Sequence, residues 1–175
     1  MKILLSNIHN KPDIIALSET WIPTKDTKFY SIVGYNFVLL PRSNKRGGGV
    51  GVYLNNNITY TVRSDLTDSA ATNSFEVLLI EINVINSLPI LILNCYRPPS
   101  TSISVFNLQL SALLDSINDH CLNVRQIVLG DFNVNLLDSS ATGRPTQNFL
   151  DLMATSNLYI LSFLLLLESL LIMNL

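Results

Sequence analysis

Short apolar stretches divided by turn-forming residues run through most of this chain. Ile14-Ile15-Ala16-Leu17, inside "PDIIALSETW", predicts a buried strand that ends in polar residues. "YNFVLL", residues 35–40, predicts a second. A basic, glycine-rich turn in "RSNKRGGGVGVYL" precedes a strand from Val50 to Leu54. An Asn-rich turn then leads to the alternating stretch Ile58-Thr59-Tyr60-Thr61-Val62. "FEVLLIEINV" alternates until a turn at Asn86-Ser87. "PILILNCYRPPS" predicts a strand stopped by two prolines, which cannot continue a ladder. From Ser104 to about Asp119, Val105, Leu108, Leu110, Leu113, Leu114 and Ile117 follow helical spacing. "QIVLGDFNVNLLD" predicts one more strand, over Ile127-Val128-Leu129. "PTQNFLDLMATSN" predicts a short helix starting near Pro145, a favoured first-turn residue. Many strands with few helices between them imply α/β with a mixed sheet or two packed sheets, not a regular βαβ alternation. No internal repeat is visible.

The last segment breaks this style. From Leu158 the chain reads "LYILSFLLLLESLLIMNL", with Glu168 its single charge. It lies near the lower limit of the roughly 20 residues a spanning helix needs, and it carries an acid. Three readings are open: a buried terminal helix, a tail anchor, or sequence that no longer encodes the original domain. The leucine-rich monotony favours the third.

Composition adds bounds. The chain has 175 residues, enough for one domain with a sizeable core; 48% are hydrophobic and 14% charged, which excludes a disordered chain. The formal net charge of −2 offers no overall cationic surface, so nucleic-acid binding would need a local patch. Cys95 and Cys121 read as free thiols, since no Cys/His spacing suggests zinc. "MKILLSNIHNKP" is too short an apolar run to read as a secretory signal.

Three predicted strand ends share a feature. Each closes an apolar strand with functional groups: Glu19, then Asn94 and Tyr96, then Asp131 with Asn133. If the strands lie side by side, these ends converge. Glu19 and Asp131 could hold a hard divalent cation through oxygen ligands, and magnesium would polarise a phosphoryl oxygen. Asp131 could instead orient an attacking water. Asn133 and Tyr96 can donate to phosphate oxygens without adding repulsive charge. Taken singly, each residue reads more readily as a turn or cap, and it is their conjunction in this order that points to a site.

"PDIIALSETW", "RSNKRGGGVGVYL", "LNCYRPPS" and "IVLGDFNVN" together resemble the endonuclease/exonuclease/phosphatase superfamily. The likeness is closest to the apurinic-type endonuclease domain of non-LTR (LINE-like) retrotransposons, and it covers roughly residues 1–157. It implies a four-layer α/β sandwich of two packed mixed β-sheets flanked by helices. It implies Mg2+-dependent (or Mn2+-dependent) nicking of DNA, whose free 3′ end would prime reverse transcription. Residue by residue, it implies that Glu19 binds metal, that Tyr96 faces the scissile phosphate, that Asp131 aligns or activates the water, and that Asn133 contacts phosphate. Asn94 is a further substrate-binding candidate. Arg42, Lys45 and Arg46 fall in a loop that could touch the DNA backbone, or equally form a solvated hairpin tip. No small-molecule cofactor is implied, and the setting would be intracellular, nuclear or cytoplasmic.

The chain also departs from the family's pattern. Asn7 lies too close to Glu19 to be the family's first-strand asparagine, and the first strand is expected to be missing. The family closes with a Ser-Asp-His strand, whereas His9 and His120 both precede Asp131. The sandwich is therefore expected to be incomplete and the site catalytically impaired. Residues 158–175 are expected to lie out of frame from about Leu158. Two other functions stay open: a phosphoesterase of the same superfamily acting on a small or lipid phosphate, and a non-catalytic protein attached to a membrane or partner through 158–175.

Overall fold

The computed structural model describes residues 11–42, 47–69, 74–134, 144–158 and 170–173. Two four-stranded sheets pack face to face. The first has the order β2-β3-β1-β8, from β1 (Ile14–Leu17), β2 (Tyr35–Leu40), β3 (Val50–Asn55) and β8 (Leu170–Met173). The second has the order β4-β5-β6-β7, from β4 (Tyr60–Val62), β5 (Glu76–Ile82), β6 (Ile90–Tyr96) and β7 (Arg125–Asp131). Every neighbouring pair is antiparallel except β6–β7. A parallel pair needs a long crossover. Helix α2 (Ile103–His120) supplies it, after the short α1 (Ser64–Ser69) and before α3 (Arg144–Thr155). The α/β sandwich of two packed sheets expected from the pattern is present.

Period-two alternation sorts the core into layers. Ile14, Ala16, Val50, Val52 and Leu54 face inward and meet Leu78, Ile80, Ile82, Ile90, Ile92 and Leu129 of the second sheet. The alternate residues Val77, Leu79, Leu91, Leu93 and Cys95 face the helices, where they pack on Phe106, Leu110, Leu113, Leu114, Ile117, Phe149 and Met153. On the outer face of the first sheet, Ile15 and Tyr53 pack against Ile32 and Tyr35, just after a 3₁₀ turn at Thr24–Tyr30. Of the helical spacing read over 104–119, Leu110, Leu113, Leu114 and Ile117 form the buried stripe together with Phe106, whereas Val105 and Leu108 stay exposed.

Several expectations need correction. The alternating run from Ile58 pairs only over Tyr60–Val62, because the Ile58 N–H donates to the Asn55 carbonyl at 2.9 Å and closes the Asn-rich turn. The 3₁₀ turn and α1 were not foreseen; both are short and carry no apolar period. Within the tail, Leu170–Met173 is a strand rather than a helix, paired antiparallel with β1 from Ile14↔Met173 to Leu17↔Leu170. Among the described residues, no helix is long and apolar enough to cross a membrane. Residues 159–169, Asn7, His9, Lys45 and Arg46 lie outside the described residues.

Candidate active site

The candidate chemistry lies where the apolar inner face of the sandwich runs out. Along β6, Ile90, Ile92, Asn94 and Tyr96 share one face, by the period of two. In register, Glu76 pairs Tyr96 on one side and Asp131 pairs it on the other. The last position on the inner face of each strand is thus polar: Glu76, Tyr96, Asp131. Paired strands lie roughly 4.8 Å apart, so the three side chains form a row at one rim.

The first sheet brings Glu19 to that row. Past Leu17 the chain is tied to the triple-glycine segment: the Thr20 N–H donates to the Gly49 carbonyl at 3.0 Å, and the Trp21 N–H to the Gly48 carbonyl at 2.9 Å. Glu19 and Trp21 both take positive φ, 51° and 54°, an unusual backbone for non-glycine residues. This conformation aims the Glu19 carboxylate across the sandwich, where Oε1 accepts a hydrogen bond from the Tyr96 hydroxyl. Glu76 closes the circuit. Its Oε2 accepts the Gly49 N–H at 2.6 Å, and its Oε1 accepts from Arg42 Nε. The Arg42 guanidinium lies 5.7 Å from the Tyr96 ring centroid, a cation–π distance. Gly48 has φ of 74°, which favours glycine, and a Cβ there, within 2.5 Å of the Arg42 guanidinium and 2.7 Å of Glu76 Oε1, would push this ion pair aside.

Asp131 stands at the end of β7 with one oxygen accepting the Asn133 N–H at 2.9 Å. The loop it opens is clamped by Arg97, which is only 4% exposed. The Arg97 backbone N–H donates to the Asp131 carbonyl at 2.9 Å. Its guanidinium donates to the Phe132 carbonyl at 2.6 Å and to the carbonyls of Asn133 and Thr101. The Arg97 carbonyl in turn accepts from Asn133 Nδ2 at 2.7 Å. Burial pushes the Arg97 pKa down, opposed by the nearby Asp131 carboxylate. Phe132 holds the loop from below, with its ring centroid 5.6 Å from that of Phe149.

The structure therefore gathers Glu19, Tyr96 and Asp131 at one rim and places Asn133 on the adjoining loop. Two candidates sit differently from the expectation. Asn94 is wholly buried, and its Nδ2 donates to the carbonyls of Leu17 at 2.9 Å and Gly51 at 3.0 Å. It staples the two sheets together, below the rim rather than at a substrate surface. Arg42 gives its Nε to Glu76, so it belongs to the inner circuit rather than to an open hairpin tip. Glu76 and Arg97 were missed. The pattern marks a polar residue before "VLLIEI" and an arginine before two prolines, but gives neither a partner.

Tyr96 is held neutral. Burial raises its pKa first, the Glu19 hydrogen bond and charge add to this, Asp131 adds more, and Arg42 partly opposes. A folded-state value above the ordinary 10.0 means that stability from the neutral phenol is complete below pH 10.0 and is lost as pH rises toward the folded value. Urea midpoints are expected to fall above about pH 10. Tyr96→Phe is expected to flatten part of that fall, with Tyr35 and Tyr53, also raised by burial, supplying the remainder. An identical alkaline slope in both proteins would contradict this.

A family model described as the Endonuclease/Exonuclease/phosphatase family matches residues 1–163. The chain belongs to that family. A search of curated proteins finds no match. Enzymes of this family generally use divalent metal ions. The donor set here is hard oxygen, and the described residues include no cluster of three or more His, Cys, Asp or Glu. A hard divalent ion of the kind that takes one or two carboxylates and keeps waters and phosphate as its other ligands is compatible with such a rim. Glu19 and Asp131 are the carboxylates at this rim that could hold such an ion, which would supply Lewis-acid polarisation of a phosphoryl oxygen. The chain's own groups have separate tasks. Neutral Tyr96 can donate only one proton, and in this structure it orients Glu19. Asp131 keeps an oxygen free of the Asn133 N–H, able to accept from a water. Asn133 is exposed and retains one side-chain N–H beyond its bond to Arg97.

Proposed function

We propose that this chain is a DNA endonuclease domain of the non-LTR retrotransposon type, cutting one phosphodiester with magnesium or manganese so that the freed 3′ end can prime synthesis. Glu19 holds the ion, Tyr96 faces the scissile phosphate, Asp131 aligns the water and Asn133 contacts phosphate. The observation that supports this reading is the hydrogen bond from Tyr96 to Glu19 across the sandwich, with Asp131 in register on the next strand. Lys45 and Arg46, beside the triple glycine in sequence, are candidates for the DNA backbone.

Turnover is low in this reading. No histidine follows Asp131 in these 175 residues, and a positioned acid or base contributes about 10²–10⁴ in rate. Supercoiled-plasmid nicking tests it. Slow nicking that needs magnesium and disappears in Asp131→Ala is expected. Equal rates from both proteins would remove Asp131 from the chemistry. The formal charge of −2 favours a second reading, a smaller phosphate ester as substrate. Asp131-dependent hydrolysis of an aryl phosphate without plasmid nicking would select it.

A further inference from the structure

Trp21 is placed in a way that core packing does not explain. It is 58% exposed, although an indole carries enough apolar surface to rank among the strongest core residues. Its backbone is not loose: the N–H is bonded to the Gly48 carbonyl, and φ is held at 54°. Its ring is braced on one side, since a Cβ on Gly47 would lie 3.3 Å from Cζ2 and 3.4 Å from Cε2. Gly47 itself has φ of 85°, so no side chain intervenes there. An aromatic ring is thus fixed against backbone on one side and left open to solvent. It follows Glu19 by two residues, a reach of at most about 7 Å of chain. The other strongly exposed aromatic, Phe29, belongs to the 3₁₀ turn and has Lys28 over its ring, 5.2 Å from the centroid. Tyr30, 44% exposed, lies in the same turn as Phe29, so among the described residues Trp21 is the exposed aromatic bonded to the triple-glycine segment that also holds Thr20 beside Glu19. A strained, rigid residue beside a functional group is where stored backbone energy is expected to serve binding.

We propose that Trp21 is a stacking platform for one unpaired or extruded nucleobase of the strand whose phosphate lies at Tyr96. This rests on the nucleic-acid reading above and deepens it. Stacking reads the π-face that every base has, so the platform fixes the strand's position without selecting sequence. It also supplies affinity that the weakly charged surface does not.

Trp21 is the chain's single tryptophan, so its fluorescence reports on this ring directly. The wild-type protein is titrated with a single-stranded oligothymidylate, and with an oligonucleotide of equal length whose sugars carry no bases. Binding is followed in parallel by anisotropy of an end label. The base-bearing strand is expected to quench the tryptophan and the base-free strand to leave it unchanged. Trp21→Ala is expected to weaken the base-bearing strand roughly tenfold or more, and Trp21→Phe to restore most of that loss. Denaturant midpoints of the variants check that they are folded. Binding by anisotropy without quenching, or with equal quenching by the base-free strand, overturns the platform and leaves the nucleic-acid reading standing. No binding of either strand overturns both.

Discussion

Gly130→Ala is expected to remove a large part of the protein's stability. Gly130 has φ of 124°, a region L side chains rarely enter. A Cβ there would sit 1.8 Å from the Cys95 carbonyl oxygen, 2.7 Å from its carbon and 2.9 Å from the Cys95 nitrogen. All three are backbone atoms of β6, which Gly130 faces in register, so no side chain can move aside. The parallel β6–β7 pair would have to separate. Overpacking costs about 1–3 kcal/mol, and strained backbone adds about 1–3 kcal/mol more. Together that is about 2–6 kcal/mol, a large part of the roughly 5–15 kcal/mol of a typical domain. Urea denaturation measures it, with Gly34→Ala as the comparison. Gly34 has φ of 90° but nothing within 4 Å, so its variant carries only the backbone strain and should lose about 1 kcal/mol. Equal midpoints for the two variants would refute the steric account.

Arg97→Met is expected to uncouple the Asp131 loop from β6. The substitution fills similar space and supplies no donor. It leaves the carbonyls of Phe132, Asn133 and Thr101 without the guanidinium that satisfies them. These bonds are part-buried, so water can satisfy the carbonyls in part and each costs less than the about 1–3 kcal/mol of a fully buried group, further offset because a buried cation no longer has to be desolvated. The larger effect falls on catalysis. If Asp131 and Asn133 act as proposed above, Arg97 serves by positioning their loop, and a misplacement of about 1 Å can reduce rate about 10²-fold. The loss should therefore appear in kcat more than in KM. Faster amide hydrogen exchange over residues 131–133 should accompany it. Arg97→Lys keeps the charge but not the planar fork, so it should recover stability better than rate. A variant with wild-type exchange in that loop would show that Phe132 and its aromatic neighbours hold the loop alone.

Both residues show why the site was only partly legible along the chain. Glu19, Tyr96, Asp131 and Asn133 announce themselves because each stands at or just past the end of an apolar strand and brings a polar functional group. Arg97 makes no such announcement. Beside two prolines it reads as a loop residue, and only its fit beneath the 131–133 turn gives it carbonyl partners. Asn94 misled in the opposite direction. Its place between apolar neighbours and Tyr96 suggested a surface role, yet both of its acceptors, Leu17 and Gly51, lie in the other sheet. Arg42 and the three glycines looked like a basic hairpin tip. Their constraint comes from Glu76 and from the residues following β1, distant in sequence.

The sandwich, its inward and outward faces and the main crossover helix follow from local periodicity, because burial of one face imposes a period of two or of 3.6 wherever the partner lies. Family membership is likewise carried by short motifs at strand ends. Which strands pair is not local. The antiparallel docking of Leu170–Met173 on β1 and the register that sets Tyr96 between Glu76 and Asp131 arise from strand pairing within each sheet, and the Glu19–Tyr96 bond from packing one sheet on the other. Hydrogen-bond partners are chosen by position in space, and an apolar pattern records that a face is buried without recording what buries it.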